Sequence, residues 1–241
     1  MAILDEALQI FGRRFWLIAA IVLTVWLPGN IAMEIAVRAL HWTDNATVQF
    51  QLNGIVGAVL DPLVTAALIF VTFASKLGYA YSYRQAMAIG VRRWPSLFAT
   101  RLGTGFLLLG GFVLLLVPGI LLALRWALID PVVVLEGIDG GVARRRSSEL
   151  TQGRRRRILG IALGSYLGIA VCVFILSIPK VLIPALGLPY DVALDCAGDF
   201  ATAFMTIVWA LFFIAARGDQ PVDVDAAADT GPGVATPGAD S

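Results

Sequence analysis

Residues 118–158 read PGILLALRWALIDPVVVLEGIDGGVARRRSSELTQGRRRRI, an apolar run that gives way to seven arginines. The run carries Arg125 and Asp130, passes a Pro118-Gly119 turn at its start, and ends at Glu136 before a glycine-rich turn. Asp139 is placed to cap a helix over 140–152, and Gly153 to close it. Lipid-soluble and lipid-repelled sequence meet here within a few residues, so this stretch fixes where a membrane would lie.

Working outward, the whole chain carries the same signature. Its 241 residues are 59% hydrophobic and 15% charged, whereas soluble domains carry about 25% charged residues. Six apolar segments of spanning length are predicted, near 15–37, 54–75, 97–117, 120–136, 158–183 and 192–216. Each has roughly the twenty residues a helix needs to cross about 30 Å of hydrocarbon. The fold class expected is therefore an all-α membrane bundle of six transmembrane helices. Proline interrupts the first span at Pro28-Gly29. The pairs Asp61-Pro62 and Asp130-Pro131 predict kinks or breaks in spans two and four.

Arginine and lysine cluster in alternate loops: Arg13 and Arg14, then Lys76, Arg84, Arg92, Arg93 and Arg101, then Arg144–Arg157, then Arg217. By the positive-inside bias these loops face the cytoplasm with both termini, as in a bacterial inner-membrane protein. Two cytoplasmic interfacial helices are expected. One covers 82–94, with a Ser82/Gln85 capping box, Trp94 at headgroup level and Pro95 ending it. The other is 140–152. Residues 2–12 place Ile3, Leu4, Ala7, Leu8 and Phe11 at helical spacing, either as a surface helix or as an extension of span one. Residues 1–217 form the membrane domain. The tail 218–241, with five aspartates and no lysine or arginine, has the composition of a disordered segment.

Charged groups inside spans are costly unless paired or hydrated, so their positions carry information. Asp61, Arg125, Asp130, Lys180, Asp195 and Asp199 form the predicted intramembrane polar cluster, with Glu34 near the outer end of span one. Two readings stand: an outward-facing polar pocket with Arg125 paired to Asp61 or Asp199, or interhelical salt bridges that fix the bundle. The arginines Arg144, Arg145, Arg154, Arg155, Arg156 and Arg157 make the candidate face for lipid phosphate or an acidic partner segment. Glu136 and Glu149 are placed to pair with this cluster. Cys172 and Cys196 both fall in apolar segments and read as small core residues. His41, beside Trp42 in an outer loop, is the single histidine. Nothing predicts a metal site, a cofactor, a catalytic motif or a nucleic-acid-reading element.

The run from PGILLALRWALIDPVVVLEG to GGVARRRSSELTQGRRRRILG resembles the bacterial family named after the membrane domain of glycerophosphoryl diester phosphodiesterase. The match is carried by Pro118, Gly119, Arg125, Pro131, Glu136, Ala143, Arg146, Ser147, Leu150, Thr151 and Gly153, and Glu149 falls within the same cytoplasmic segment. The resemblance implies a six-span membrane module. It implies no phosphodiesterase activity, because the residues that follow are a short acidic tail. The function expected is a non-enzymatic membrane module that scaffolds a partner protein, or its own oligomer, or binds anionic lipid through its basic face. The alternative is a transporter or lipid-handling protein using the outer pocket.

Overall fold

The computed structural model describes residues 2–40, 46–182 and 187–218. His41, Trp42 and the acidic tail beyond Gly218 lie outside the described residues, as does the side chain of Lys180. Among the described residues the chain is helical, with no strand. Its elements are α1 (Ala2–Arg13), α2 (Phe15–Ala39), α3 (Ala46–Leu77), α4 (Tyr83–Leu114), α5 (Leu116–Arg125), α6 (Ile129–Pro131), α7 (Gly140–Thr151), α8 (Arg155–Leu182) and α9 (Gly187–Arg217). A π-helical segment, Val132–Glu136, continues directly from α6. Six helical stretches are long and apolar enough to cross a membrane: α2, α3, α4, the stretch Val117–Glu136, α8 and α9.

Three local expectations change. The interfacial helix expected over 82–94 is continuous with the third span. Its Ser82/Gln85 capping box is present, and α4 then runs through Pro95 without a break. Pro95 costs one hydrogen bond in a 32-residue helix, too little to end it when one side packs along α3. For the same reason α2 passes Pro28 and α3 passes Pro62 unbroken. Trp94 is turned toward α3. Its Nε1 donates to the Val59 carbonyl at 2.6 Å, in the turn that Pro62 crowds. The reversal between spans three and four falls at Leu115, extended at φ −163°. Pro118 and Gly119 instead sit in the first turns of α5, where proline is tolerated.

Span four is the broken one. α5 ends at Arg125, a turn occupies 126–128, and α6 with the π segment completes the crossing. The π segment is fully buried at Val132, Val133, Val134 and Leu135.

Packing is uneven along the bundle. Large buried side chains include Ile18, Ile21 and Val22 of α2, Leu68, Ile69 and Val71 of α3, Leu128, and Ile207, Val208 and Phe213 of α9. All lie toward the arginine-rich end, where α1 adds Ile3 and Ala7. In the opposite half, none of the described side chains of α3 before Pro62 or of α9 before Ala203 is buried. Among the described side chains of α8 only Ile158 is buried, so this helix presents nearly all of its described length outward, as a lipid-facing span does. Cys172, on its outer surface, is exposed rather than part of a core.

Backbones approach closely where α3 and α4 cross. A Cβ at Gly90 would stand 2.8 Å from the Leu63 carbonyl oxygen, whereas one at Gly110 on the same helix would meet nothing within 4 Å. Gly90→Ala is expected to lower stability in mild detergent by about 1–3 kcal/mol through overpacking. Gly110→Ala should be neutral or slightly stabilising. Equal melting temperatures for the two variants would contradict the crossing described.

Candidate functional site

A break in a membrane helix exposes backbone groups that water cannot reach, so another element must satisfy them. Here α7 does so. Ser147 Oγ accepts from the Leu128 amide at 3.2 Å and donates to the Arg125 carbonyl at 3.0 Å. Thr151 Oγ1, one turn along, donates to the same carbonyl at 3.2 Å. Both side chains are fully buried. Arg146 clamps α7 to the end of span four through Glu136, at 3.1 Å, and Arg217 of α9 reaches Glu136 at 3.7 Å. Gly153 closes the helix at φ +76°, a left-handed conformation that costs glycine little. The motif residues Glu136, Arg146, Ser147, Thr151 and Gly153 thus build one joint. Asp139 occupies the cap position of α7 without capping it. It accepts from Ser96 Oγ at 3.0 Å, while Thr100 Oγ1 accepts from the Gly140 amide at 3.0 Å.

A few residues past the break, Asp130 meets Asp61, and Arg101 of α4 joins them. Arg101 Nε and Nη2 donate to the two oxygens of Asp130 at 3.1 and 2.7 Å. Nη1 pairs with Asp61, and Nη2 also donates to Thr65 Oγ1 at 3.1 Å. The two aspartate-proline echoes in the sequence therefore converge on one guanidinium. The arginine expected in that place, Arg125, is not there. It is exposed at the arginine-rich end, because α7 docks on residues 125–128 and draws that turn toward its own arginines. From the sequence Arg101 reads as a flanking charge of span three, because it stands only four residues inside the predicted span and follows other arginines. The available clue was its solitude in an apolar run facing two intramembrane acids.

Asp195 and Asp199 lie elsewhere again, on α9 opposite α2. Asn30 Nδ2 donates to Asp199 at 2.8 Å and Arg38 pairs with both Asp191 and Glu34. Glu34, Asp191 and Asp195, with Gln49 and Asn53 of α3, line a cleft of about 110 Å³. Two ladders at i, i+4, i+8 thus face each other: Asn30, Glu34, Arg38 on α2 and Asp191, Asp195, Asp199 on α9. Among the described residues these two ladders set four carboxylates against one guanidinium, so the faces of α2 and α9 that meet here are acidic. Asn30, Arg38 and Asp191 were not anticipated, the last two because loop-end charges look like ordinary interfacial anchors.

The arginines between 144 and 157 divide by role. Arg154 donates to the Ala216 carbonyl at 2.6 Å, and Arg157 lies over the Phe212 ring at 5.9 Å. Arg156 is exposed. Arg144, Arg145 and Arg155 line a pocket of about 360 Å³ with Arg125, Trp126, Leu122, Ser148, Glu149 and Gln152. Glu149 pairs with Arg145 at 3.5 Å and more distantly with Arg146 at 3.8 Å. These are exposed pairs of small energetic weight.

No protein-family model, curated protein or solved structure matches this chain.

Removing Arg101 would leave two carboxylates facing each other beside apolar helices. Arg101→Met is expected to cost about 3–5 kcal/mol of stability. Adding Asp61→Asn and Asp130→Asn should recover much of that loss. Arg125→Met should change stability by less than about 0.5 kcal/mol, its side chain making no ion pair among the described residues. Chemical unfolding of the three variants in one detergent separates the outcomes. Comparable losses for Arg101→Met and Arg125→Met would contradict the pairing.

Proposed function

We propose that this chain is a non-enzymatic integral membrane module that engages anionic phospholipid headgroups through its arginine-rich end. That end faces the cytoplasm in this reading, with both termini. The observation that carries it is a basic surface built on a fixed joint: α7 is locked to the break in span four by Ser147, Thr151 and the Glu136–Arg146 pair. Its remaining arginines project from that fixed base, with the Arg145 side chain 85% exposed. Each such charge near an anionic leaflet contributes about 1 kcal/mol. The likeness to the phosphodiesterase-associated membrane family agrees with such a module and carries no catalytic assignment.

Native mass spectrometry of the chain extracted in mild detergent tests this. Retained anionic phospholipid is expected. A stoichiometric acidic protein in its place would turn the same surface into a scaffold. Zwitterionic lipid alone would overturn the reading.

A second reading rests on the opposite half, where loosely packed helices carry the acidic ladders down toward the Asp61–Arg101–Asp130 cluster. In this reading the half admits water and attracts cationic solutes, as in a transporter. Cys196, beside Asn30 at 3.9 Å, is a built-in probe. In a Cys172→Ala background, a trimethylammonium methanethiosulfonate should modify Cys196 faster than a sulfonate analogue of similar size. Failure of both reagents to react would mean this half is closed to water.

A further inference from the structure

Three arginines in the pocket between α5, α7 and α8 make no ion pair among the described residues: Arg125, Arg144 and Arg155. They come from three separate elements, yet they converge on one cavity. Arg155 goes further, since its Nε is buried and finds no hydrogen-bond partner. A buried donor of a charged group left unpaired costs free energy that some acceptor normally offsets. The only carboxylate in the lining, Glu149, is turned to Arg145 and Arg146. Four guanidinium groups against one carboxylate leave a formal excess of three positive charges.

The surroundings say what kind of anion fits. Ser148 and Gln152 add neutral hydrogen-bonding groups, while Leu122 and Trp126 form an apolar wall. Outward from the pocket, α5 exposes Ile120 and Leu121, and α8 exposes Leu159 and Leu163. Acyl chains can lie along these side chains while the charged head sits among the arginines, with Trp126 at the interface as tryptophan prefers. A phosphomonoester carries about −1.5 to −2 charge at neutral pH and three strong acceptor oxygens. It matches three unpaired planar donor forks better than a diester, which has one charge and two free oxygens.

We infer that this pocket binds a lipid bearing a terminal phosphomonoester, as in phosphatidic acid, in preference to phosphodiester lipids. The inference rests on the anionic-lipid reading above and narrows it to one headgroup chemistry and one set of residues.

The test uses the full chain in mild detergent and a fluorescent short-chain phosphatidic acid. Competitors are unlabelled phosphatidic acid, phosphatidylglycerol of the same chain length, and glycerol 3-phosphate. Phosphatidic acid is expected to compete about tenfold better than phosphatidylglycerol, one strong charged contact being worth about that factor. Arg155→Gln and Arg125→Gln should each weaken phosphatidic acid binding about tenfold and abolish the preference. Arg84→Gln, exposed in the first turn of α4 and outside the pocket, should leave the preference unchanged. Unchanged melting temperatures confirm folding, and Arg125→Gln provides the readout if Arg155→Gln fails to fold.

Equal competition by the two lipids, insensitive to Arg155 and Arg125, would overturn the headgroup assignment while leaving general anionic-lipid binding intact. Binding of neither lipid would remove both. Displacement by glycerol 3-phosphate as effective as by phosphatidic acid would overturn the lipid as ligand and assign the pocket to a soluble phosphate ester.

Discussion

Burying a guanidinium among apolar helices is tolerable only if carboxylates come to it from other helices. That constraint organises this bundle. Arg101 requires Asp61 from α3 and Asp130 from span four, and it donates to both with Thr65 in support. Three crossings are thereby tied at one level. Asp61 immediately precedes the first buried residue among the described side chains of α3, so the cluster marks the boundary between the packed half and the open half.

The two halves differ in kind. In the arginine-rich half, apolar burial is dense, and the charges that remain either serve as clamps, as Arg146 does on Glu136, or stand at the surface. In the opposite half, the described buried apolar side chains are few, Met33 and Val37 of α2 among them, and facing polar ladders lie beside them. Ion pairs there gain from a lower local dielectric than water, but each also bears a desolvation cost. The net contribution to stability is small, so these pairs register α2 against α9 more than they hold them together. Such a half is held up by the core beneath it.

The class of fold was legible because hydrophobicity and length decide it: six apolar stretches, and six helices of spanning length. The short helix after span four was legible for a similar local reason, glycines at both ends with helix formers between. Partner choice was not. Which arginine meets Asp61 depends on how spans two, three and four rotate about their axes, and the few charges that each of these spans carries do not specify rotation. The likeness of Asp61-Pro62 and Asp130-Pro131 did point to a common role, and the common role is Arg101. Proline pointed to the break in span four but ended none of the longer helices. Pro28, Pro62 and Pro95 all sit within continuous helices, because packing along the rest of a long helix outweighs one missing hydrogen bond. The break that does occur, at Trp126, Ala127 and Leu128, includes the residue four before Pro131, whose missing amide leaves the Ala127 carbonyl without its helical donor, as the Asp130-Pro131 pair predicts.

That break explains why the sequence after it takes the form it does. If span four were continuous, Arg125 and Asp130 would lie five residues apart on one rod, pointing in directions fixed by the helix. The turn uncouples them: Arg125 joins the arginines of α7 while Asp130 turns inward to Arg101. Such a turn survives in a membrane only if its carbonyl and amide find partners, and Ser147 and Thr151 supply both from one helix face at i, i+4 spacing. The arginines around them are thus carried on the element that makes the turn possible. A single joint sets the basic pocket on one side and the intramembrane ion cluster on the other. Loss of the hydroxyls of α7 would disorganise both, although neither serine nor threonine touches a charge.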